Sequence, residues 1–298
     1  MAEFSIVGET SGDALYRFTF EGAGVRGVLI KLDEVWRRIQ GTHDYPATVA
    51  SPLGQALAAS ALLSSTVKMA GSMILQIQGK GPLHMLVAQA THQRQVRAVA
   101  RWGGEVPDGD LEAVFGPGRL VMTIDPEGGE RYQGIVSLEG EDIAGALRAY
   151  FDRSEQLNTG IWLFADGEHA AGLMIQEMPS QSGDPEDWER IHHLAATVTA
   201  DELLRLPARE VLHRLFHQET TRLYEPEAVA WFCGCSRDKL GQTLVTLGRE
   251  DVEEMLAEQG GELELTCEFC NTDYRFDVVD VKALFADGMT MDGPRTRQ

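Results

Sequence analysis

Phe232-Cys233-Gly234-Cys235-Ser236-Arg237 and Thr266-Cys267-Glu268-Phe269-Cys270-Asn271 hold every cysteine of a 298-residue chain. Two close pairs separated by a spacer are the usual signature of a structural zinc site with four thiolate ligands. The 31-residue spacer between Cys235 and Cys267 is longer than the common one, and two helices fill it. Periodicity predicts them over Arg237–Leu247 and 250–259, the second closed by Gly260-Gly261. A strand-like run, Glu262–Thr266, precedes the second pair and another, 274–277, follows it. Cys267 and Cys270 are therefore expected at the turn of a hairpin, a geometry that points both sulfurs at one ion. All eight histidines lie at or before His217, so a site here consists of Cys233, Cys235, Cys267 and Cys270 without imidazole. About 60 residues is little core for an independent domain, so the metal is expected to supply much of the folding free energy.

Cys-X-Cys brings two sulfurs very close, and Gly234 relaxes the backbone enough for both to face a metal or each other. A metal-bound thiolate is already deprotonated, and the thiolate is the species that oxidants attack. Spacing alone leaves open a purely structural zinc ribbon and a redox-sensitive metal site. Four unconnected buried cysteines are disfavoured by the clustering, and a thioredoxin-like pair by the lack of a strand-helix-strand context around Cys267.

Outward from the cysteines, the chain divides into four expected parts. Residues 1–180 read as a mixed α/β domain rich in antiparallel sheet, so the whole is expected to be α+β. Strand-like runs recur at 15–20, Val25–Leu32, 73–78, 82–89, 96–101, 120–125, 132–138 and 172–176. Helical runs fall at 33–40, 47–70 and 141–151, with Pro52 taken to lie in the first turn of the second. Residues 181–187 are polar and contain Gly183 and Pro185, a boundary signal. Residues 181–226 then read as a helical linker. Trp188, Ile191, Leu194, Ala195 and Val198 recur at helical spacing, Thr199-Ala-Asp-Glu202 has capping-box form, and Val211, Leu212, Leu215 and Phe216 form a third apolar stripe. Helices this short need a partner surface. Residues 227–286 form the four-cysteine unit, and 287–298 a tail expected to be mobile.

Charge narrows the function classes. The chain carries 26 basic and 46 acidic residues, a net charge of −20, with 43% apolar residues. A field that negative repels phosphate backbones and anionic bilayers, so neither nucleic acid nor membrane is an expected partner. The longest apolar candidate, 56–70, is interrupted by Ser60, Ser64, Ser65, Thr66 and Lys68, and no basic-then-apolar leader opens the chain. A cytoplasmic location, where thiols stay reduced, is the simplest expectation. No Gly-x-x-x-x-Gly-Lys-Ser/Thr loop occurs, and residues 1–180 assemble no nucleophile-base constellation.

Together these residues resemble the redox-regulated 33 kDa heat-shock chaperones of bacteria. The likeness is carried by Phe232-Cys-Gly-Cys-Ser-Arg237, Cys267-Glu-Phe-Cys270 and Tyr274-Arg-Phe-Asp277. Leu223-Tyr-Glu-Pro226, Glu130-Arg-Tyr-Gln-Gly-Ile-Val136, Ser154-Glu-Gln-Leu157, His43-Asp-Tyr-Pro46 and Gln76-Ile-Gln-Gly-Lys-Gly-Pro82 add to it, so it spans roughly residues 12 to 286. The resemblance implies a reduced, inactive form in which Cys233, Cys235, Cys267 and Cys270 hold one zinc ion. It implies that oxidation forms disulfides Cys233–Cys235 and Cys267–Cys270, releases zinc, and unfolds the C-terminal unit and linker. The activated form would be a homodimer holding unfolded client proteins without ATP, a binding activity and not an enzyme. Asn158 departs from the family's Pro at a turn, and Pro52 departs at the long helix. Two rivals stand beside this reading. One is a zinc-ribbon adaptor, disfavoured for nucleic acid by 6 basic against 14 acidic residues in 238–298. The other is an enzyme with its site in the first domain.

Overall fold

The computed structural model describes residues 12–68, 70–138, 140–178 and 184–286. The expected tail 287–298 and the start of the boundary segment, 181–183, lie outside the described residues. The chain is α+β and divides into two compact units between Phe232 and Cys233.

The first unit opens with β1 (Ala14–Phe20), β2 (Val25–Leu32), α1 (Glu34–Gln40) and α2 (Ala47–Ser64). Next come β3 (Gly71–Gly79), β4 (Leu83–Thr91), β5 (Gln95–Trp102), α3 (Leu111–Phe115), β6 (Gly118–Pro126) and β7 (Tyr132–Ser137). Then follow α4 (Ile143–Tyr150), a π-helical turn (Phe151–Glu155), β8 (Thr159–Ala165) and β9 (Ala170–Glu177). Three linker helices, α5 (Pro185–Ala195), α6 (Ala200–Arg205) and α7 (Ala208–Phe216), precede the short strands β10 (Thr221–Leu223), β11 (Glu227–Ala228) and β12 (Ala230–Trp231).

These strands make two six-stranded sheets. The first has the order β10-β1-β2-β9-β8, with β11 also paired to β1; the second has the order β12-β5-β4-β3-β6-β7. The β12–β5 pair is parallel, and the other pairs described are antiparallel.

The first sheet is buried on both faces, which explains its unbroken apolar runs. Leu15, Val28, Ile30, Leu32 and Met174 face one cluster, shared with α2 and with Leu75, Ile77, Leu86 and Leu120 of the second sheet. Tyr16, Phe18, Phe20, Leu29, Leu173 and Ile175 face the other, which is closed by Ile191, Leu203, Leu212, Leu215 and Phe216 of the linker helices. Strand β8 was not expected from the sequence for the same reason. Ile161 and Leu163 join one cluster while Trp162 and Phe164 pack on the other, so no alternation appears. Gly27 lies opposite Phe18 in the ladder, and a Cβ there would come within 2.1 Å of the Phe18 ring.

Helix α2 is long and apolar enough to cross a membrane by length and composition, yet 72% of it is buried inside the fold. It ends at Ser64, short of the expected residue 70. Ser64, Ser65 and Thr66 turn their hydroxyls back to the carbonyls of Ala61, Leu62 and Leu63, offering the backbone an alternative to further helix. Pro46 is its N-cap, so Pro52 lies inside the helix and not in its first turn.

The linker helices begin where their caps dictate. Asp184 with Asp187, and Thr199 with Glu202, form reciprocal capping boxes at α5 and α6. The boundary with the second unit falls later than the expected residue 227, because β11 and β12 pair with β1 and β5.

The second unit contains α8 (Arg237–Leu247), α9 (Arg249–Glu258), the hairpin β13 (Glu262–Thr266) and β14 (Asp273–Asp277), and α10 (Val278–Ala286). Its buried apolar interior is Leu244, Val252, Leu256, Leu263, Phe276 and Val281. Arg237 ties it together: it donates to Arg275 O at 2.6 Å, pairs with Asp280 at 2.5 Å, and stacks 4.6 Å over Phe276.

Candidate metal centre

The hairpin register pairs Thr266 with Asp273, leaving 267–272 as the turn. Cys267 N–H donates to Thr272 O at 2.9 Å, and the N–H groups of Cys270 and Asn271 donate to Cys267 O at 3.3 and 2.7 Å. Asn271, at φ 56°, supplies the left-handed residue the turn needs. Cys233 and Cys235 stand immediately before α8. Ser236 caps that helix by accepting from Lys239 N, and Lys239 Nζ donates back to Gly234 O at 2.5 Å. The loop carrying one pair and the turn carrying the other are thus each held by local hydrogen bonds.

The four sulfurs all lie within 4.8 Å of one another and are half-buried. Cys233 Sγ is 3.6 Å from Cys267 Sγ, and Cys235 Sγ is 3.4 Å from Cys270 Sγ. A tetrahedral ion with metal–sulfur bonds of about 2.3 Å needs sulfurs about 3.8 Å apart, so the quartet already has the size of that tetrahedron. Among the described residues no His, Asp or Glu joins the group. The His213 and His217 rings lie with centroids 6.0 Å apart, tilted at 58°, in the first unit.

Electrostatics give the same answer. Burial pushes the Cys233 thiol up to about 12 and raises Cys267 as well. Burial also works against Cys270, but hydrogen bonds from the Thr272 hydroxyl and backbone N–H outweigh it and bring that thiol down to about 7. Thiols this crowded resist becoming four neighbouring thiolates unless a cation compensates them. The donor set therefore fits a soft divalent metal ion.

Two polar side chains that sequence reasoning missed complete the surroundings. Tyr274 Oη lies 3.1 Å from Cys235 Sγ, and Thr272 Oγ1 lies 3.3 Å from Cys270 Sγ. Hydroxyls here can donate to thiolates and orient them. Contact with Cys235 pushes the Tyr274 phenol up to about 12, so it keeps its proton. The available signal was position: Thr272 and Tyr274 are two and four residues beyond Cys270.

The fold and site define a two-unit α+β protein whose smaller, C-terminal unit is built around a four-thiol centre able to hold a metal ion. A family model described as Hsp33 protein matches residues 13–277. A relative from Nitrosococcus oceani named 33 kDa chaperonin is 55% identical over 285 residues, covering 96% of this chain and 98% of its own. The 33 kDa chaperonin of Shewanella woodyi is 46% identical over 289 residues, covering 97% and 100%. The crystal structure of the 33 kDa chaperonin from Thermotoga maritima aligns with a TM-score of 0.80 at 24% identity, over 92% of this chain and 98% of that one, and shares the fold. The chain belongs to the Hsp33 family, a family of chaperones.

Proposed function

We propose that this protein is a redox-regulated, ATP-independent holdase of the cytoplasm, held inactive while Cys233, Cys235, Cys267 and Cys270 bind one zinc ion. The observation that carries this is the sulfur quartet itself, with all four Sγ atoms within 4.8 Å and half-buried where small oxidants reach them. Bound zinc would keep the thiolates charged and would join the turn at 267–272 to the start of α8.

Oxidation removes that tie. One thiolate attacks peroxide, breaking the O–O bond and forming a sulfenic acid; its neighbour's thiol then attacks that sulfur, expelling water. Each disulfide costs its cysteine pair two electrons, which reduce one peroxide to two waters. Following the family resemblance, the pairs are Cys233–Cys235 and Cys267–Cys270. The shortest contacts run across the pairs, so the sulfurs regroup once the metal leaves. Disulfides within each pair do not bridge the two halves of the unit as the ion would, and an interior of six buried apolar side chains then has little else to hold it.

The client surface in this reading is the outer face of the first sheet. Phe18, Phe20, Leu29, Leu173 and Ile175 are covered there by the apolar sides of α5–α7. These helices have 11, 6 and 9 residues, too short to persist without that partner. Their release would expose two complementary apolar surfaces on an acidic body, suited to holding unfolded chains and to forming a homodimer.

The test is aggregation of a heat-unfolded client, with metal content and free thiols counted in parallel. Suppression after peroxide with mild heat, with loss of one zinc and four thiols, is expected. Equal suppression before and after would make the protein a constitutive holdase; none in either state would refute the reading.

A further inference from the structure

The face under the linker is apolar, yet one cation is buried in it. Lys31 lies on β2, where the register sets it between Ala14 of β1 and Ala171 of β9. Two alanines leave a slot for a long side chain, and Lys31 fills it at 7% exposure. Its Nζ donates to the carbonyl oxygens of Leu203, Leu204 and Leu206 at 2.5, 2.9 and 3.1 Å. An ammonium has three hydrogens, and this geometry occupies all of them.

The sequence explains why α6 needs such a partner. A helix leaves its last carbonyls without internal donors. Leu203 O would look to the N–H four residues on, but that residue is Pro207, which has none. Lys31 supplies the missing donors, and its charge sits at the negative end of the helix. The surrounding charges are Asp33 on the same chain segment, Arg205 on α6, Arg209 on α7 and His169 before β9; Arg205 pairs with Asp166 at 2.5 Å. A cavity of about 250 Å³, lined in part by Lys31, Asp33, Leu204 and Pro207, opens beside these bonds and gives water a way in.

We propose that Lys31 is the positioning residue that latches the linker shut, so that α5–α7 leave the sheet only when its hydrogen bonds to the end of α6 break. The inference rests on the reading in which linker release exposes the client surface. It adds that the closed state is held from within the first unit, by a cation on the sheet, besides being governed by the cysteines. Oxidation alone is then insufficient: these hydrogen bonds must also break before the sheet face is exposed.

Two experiments on the full-length, reduced, metal-loaded protein test this. The first is hydrogen exchange on Lys31→Met. Amides of α5–α7 should exchange about tenfold faster or more, with β3, β4 and β6 unchanged and the metal retained; Arg205→Ala, which breaks the nearby surface pair but spares the latch, should leave α5–α7 as they were. Unchanged exchange in α5–α7, or equal loosening of β3, β4 and β6, overturns the proposal. The second needs no variant. An amine-reactive reagent should label Lys31 at least about tenfold more slowly than exposed Lys80 in the reduced protein and comparably after peroxide with heat. Equal labelling of Lys31 in both states overturns it. If α5–α7 loosen in Lys31→Met while client aggregation is not suppressed, the latch stands and the holdase reading falls.

Discussion

Removing the metal from the reduced protein should unfold residues 233–286 and leave the first unit intact. Among its described residues the second unit has a single two-stranded hairpin and a buried apolar interior of six side chains, Leu244, Val252, Leu256, Leu263, Phe276 and Val281. An isolated hairpin is marginal in water, and so small a core usually needs a staple. A metal ion held by the four sulfurs would join the two places the local hydrogen bonds leave separate, the loop before α8 and the turn at 267–272. A ligand that binds only the folded form stabilises it by RT ln(1 + [L]/Kd), about 4 kcal/mol when free metal stands a thousandfold above Kd. Hydrogen exchange reads this directly. On chelation, protection at the amides of Leu244, Val252 and Phe276 should fall by roughly a thousandfold, while β3, β4 and β6 keep theirs. The reasoning is refuted if the chelator leaves those three amides protected, because the apolar interior would then suffice without the sulfurs. It is equally refuted if β3, β4 and β6 lose protection in step with them, because the two units would then be one cooperative structure.

Phe216 is 1% exposed and meets Phe20 edge-on at 4.9 Å and Phe18 at 5.9 Å. Phe216→Ala should cost about 3–5 kcal/mol of linker docking, seen as at least a hundredfold faster exchange in α5–α7 and as client binding without oxidant. Tyr274→Phe removes a hydroxyl from beside Cys235 and should weaken metal affinity by about tenfold, measured by competition with a chromophoric chelator. Peptide mapping after peroxide should find Cys233–Cys235 and Cys267–Cys270; a Cys233–Cys267 or Cys235–Cys270 bridge would contradict the proposed pairing.

What the sequence made legible was local. The four sulfurs were readable because metal ligation repeats the same residue at short spacing, and α8 runs over Arg237–Leu247 because Ser236 caps it and Gly248 stops it. The capping box at Thr199 and Glu202 likewise announced α6. What escaped was set by distant partners. β8 lacks alternation because both its faces are covered, β10–β12 are two or three residues long and exist only as pairings, and α10 follows β14 without a turn signal.

Lys31 marks the limit most sharply. Within Val28-Leu29-Ile30-Lys31-Leu32 a lysine reads as the solvated end of a strand. Its burial follows from facts far apart in the chain: alanines at 14 and 171 on the flanking strands, and a proline at 207 that deprives a helix end of its donor. None is notable alone, and only the fold brings them together. The cysteines announce the four-thiol cluster because each pair is confined to neighbours in sequence. The hydrogen bonds of Lys31 are made between β2 and the end of α6, and no spacing rule along one strand or one helix encodes them. If Lys31→Met leaves α5–α7 protected, packing at residues such as Phe216 must hold the cover alone, and the switch would have no point of control outside its sulfurs.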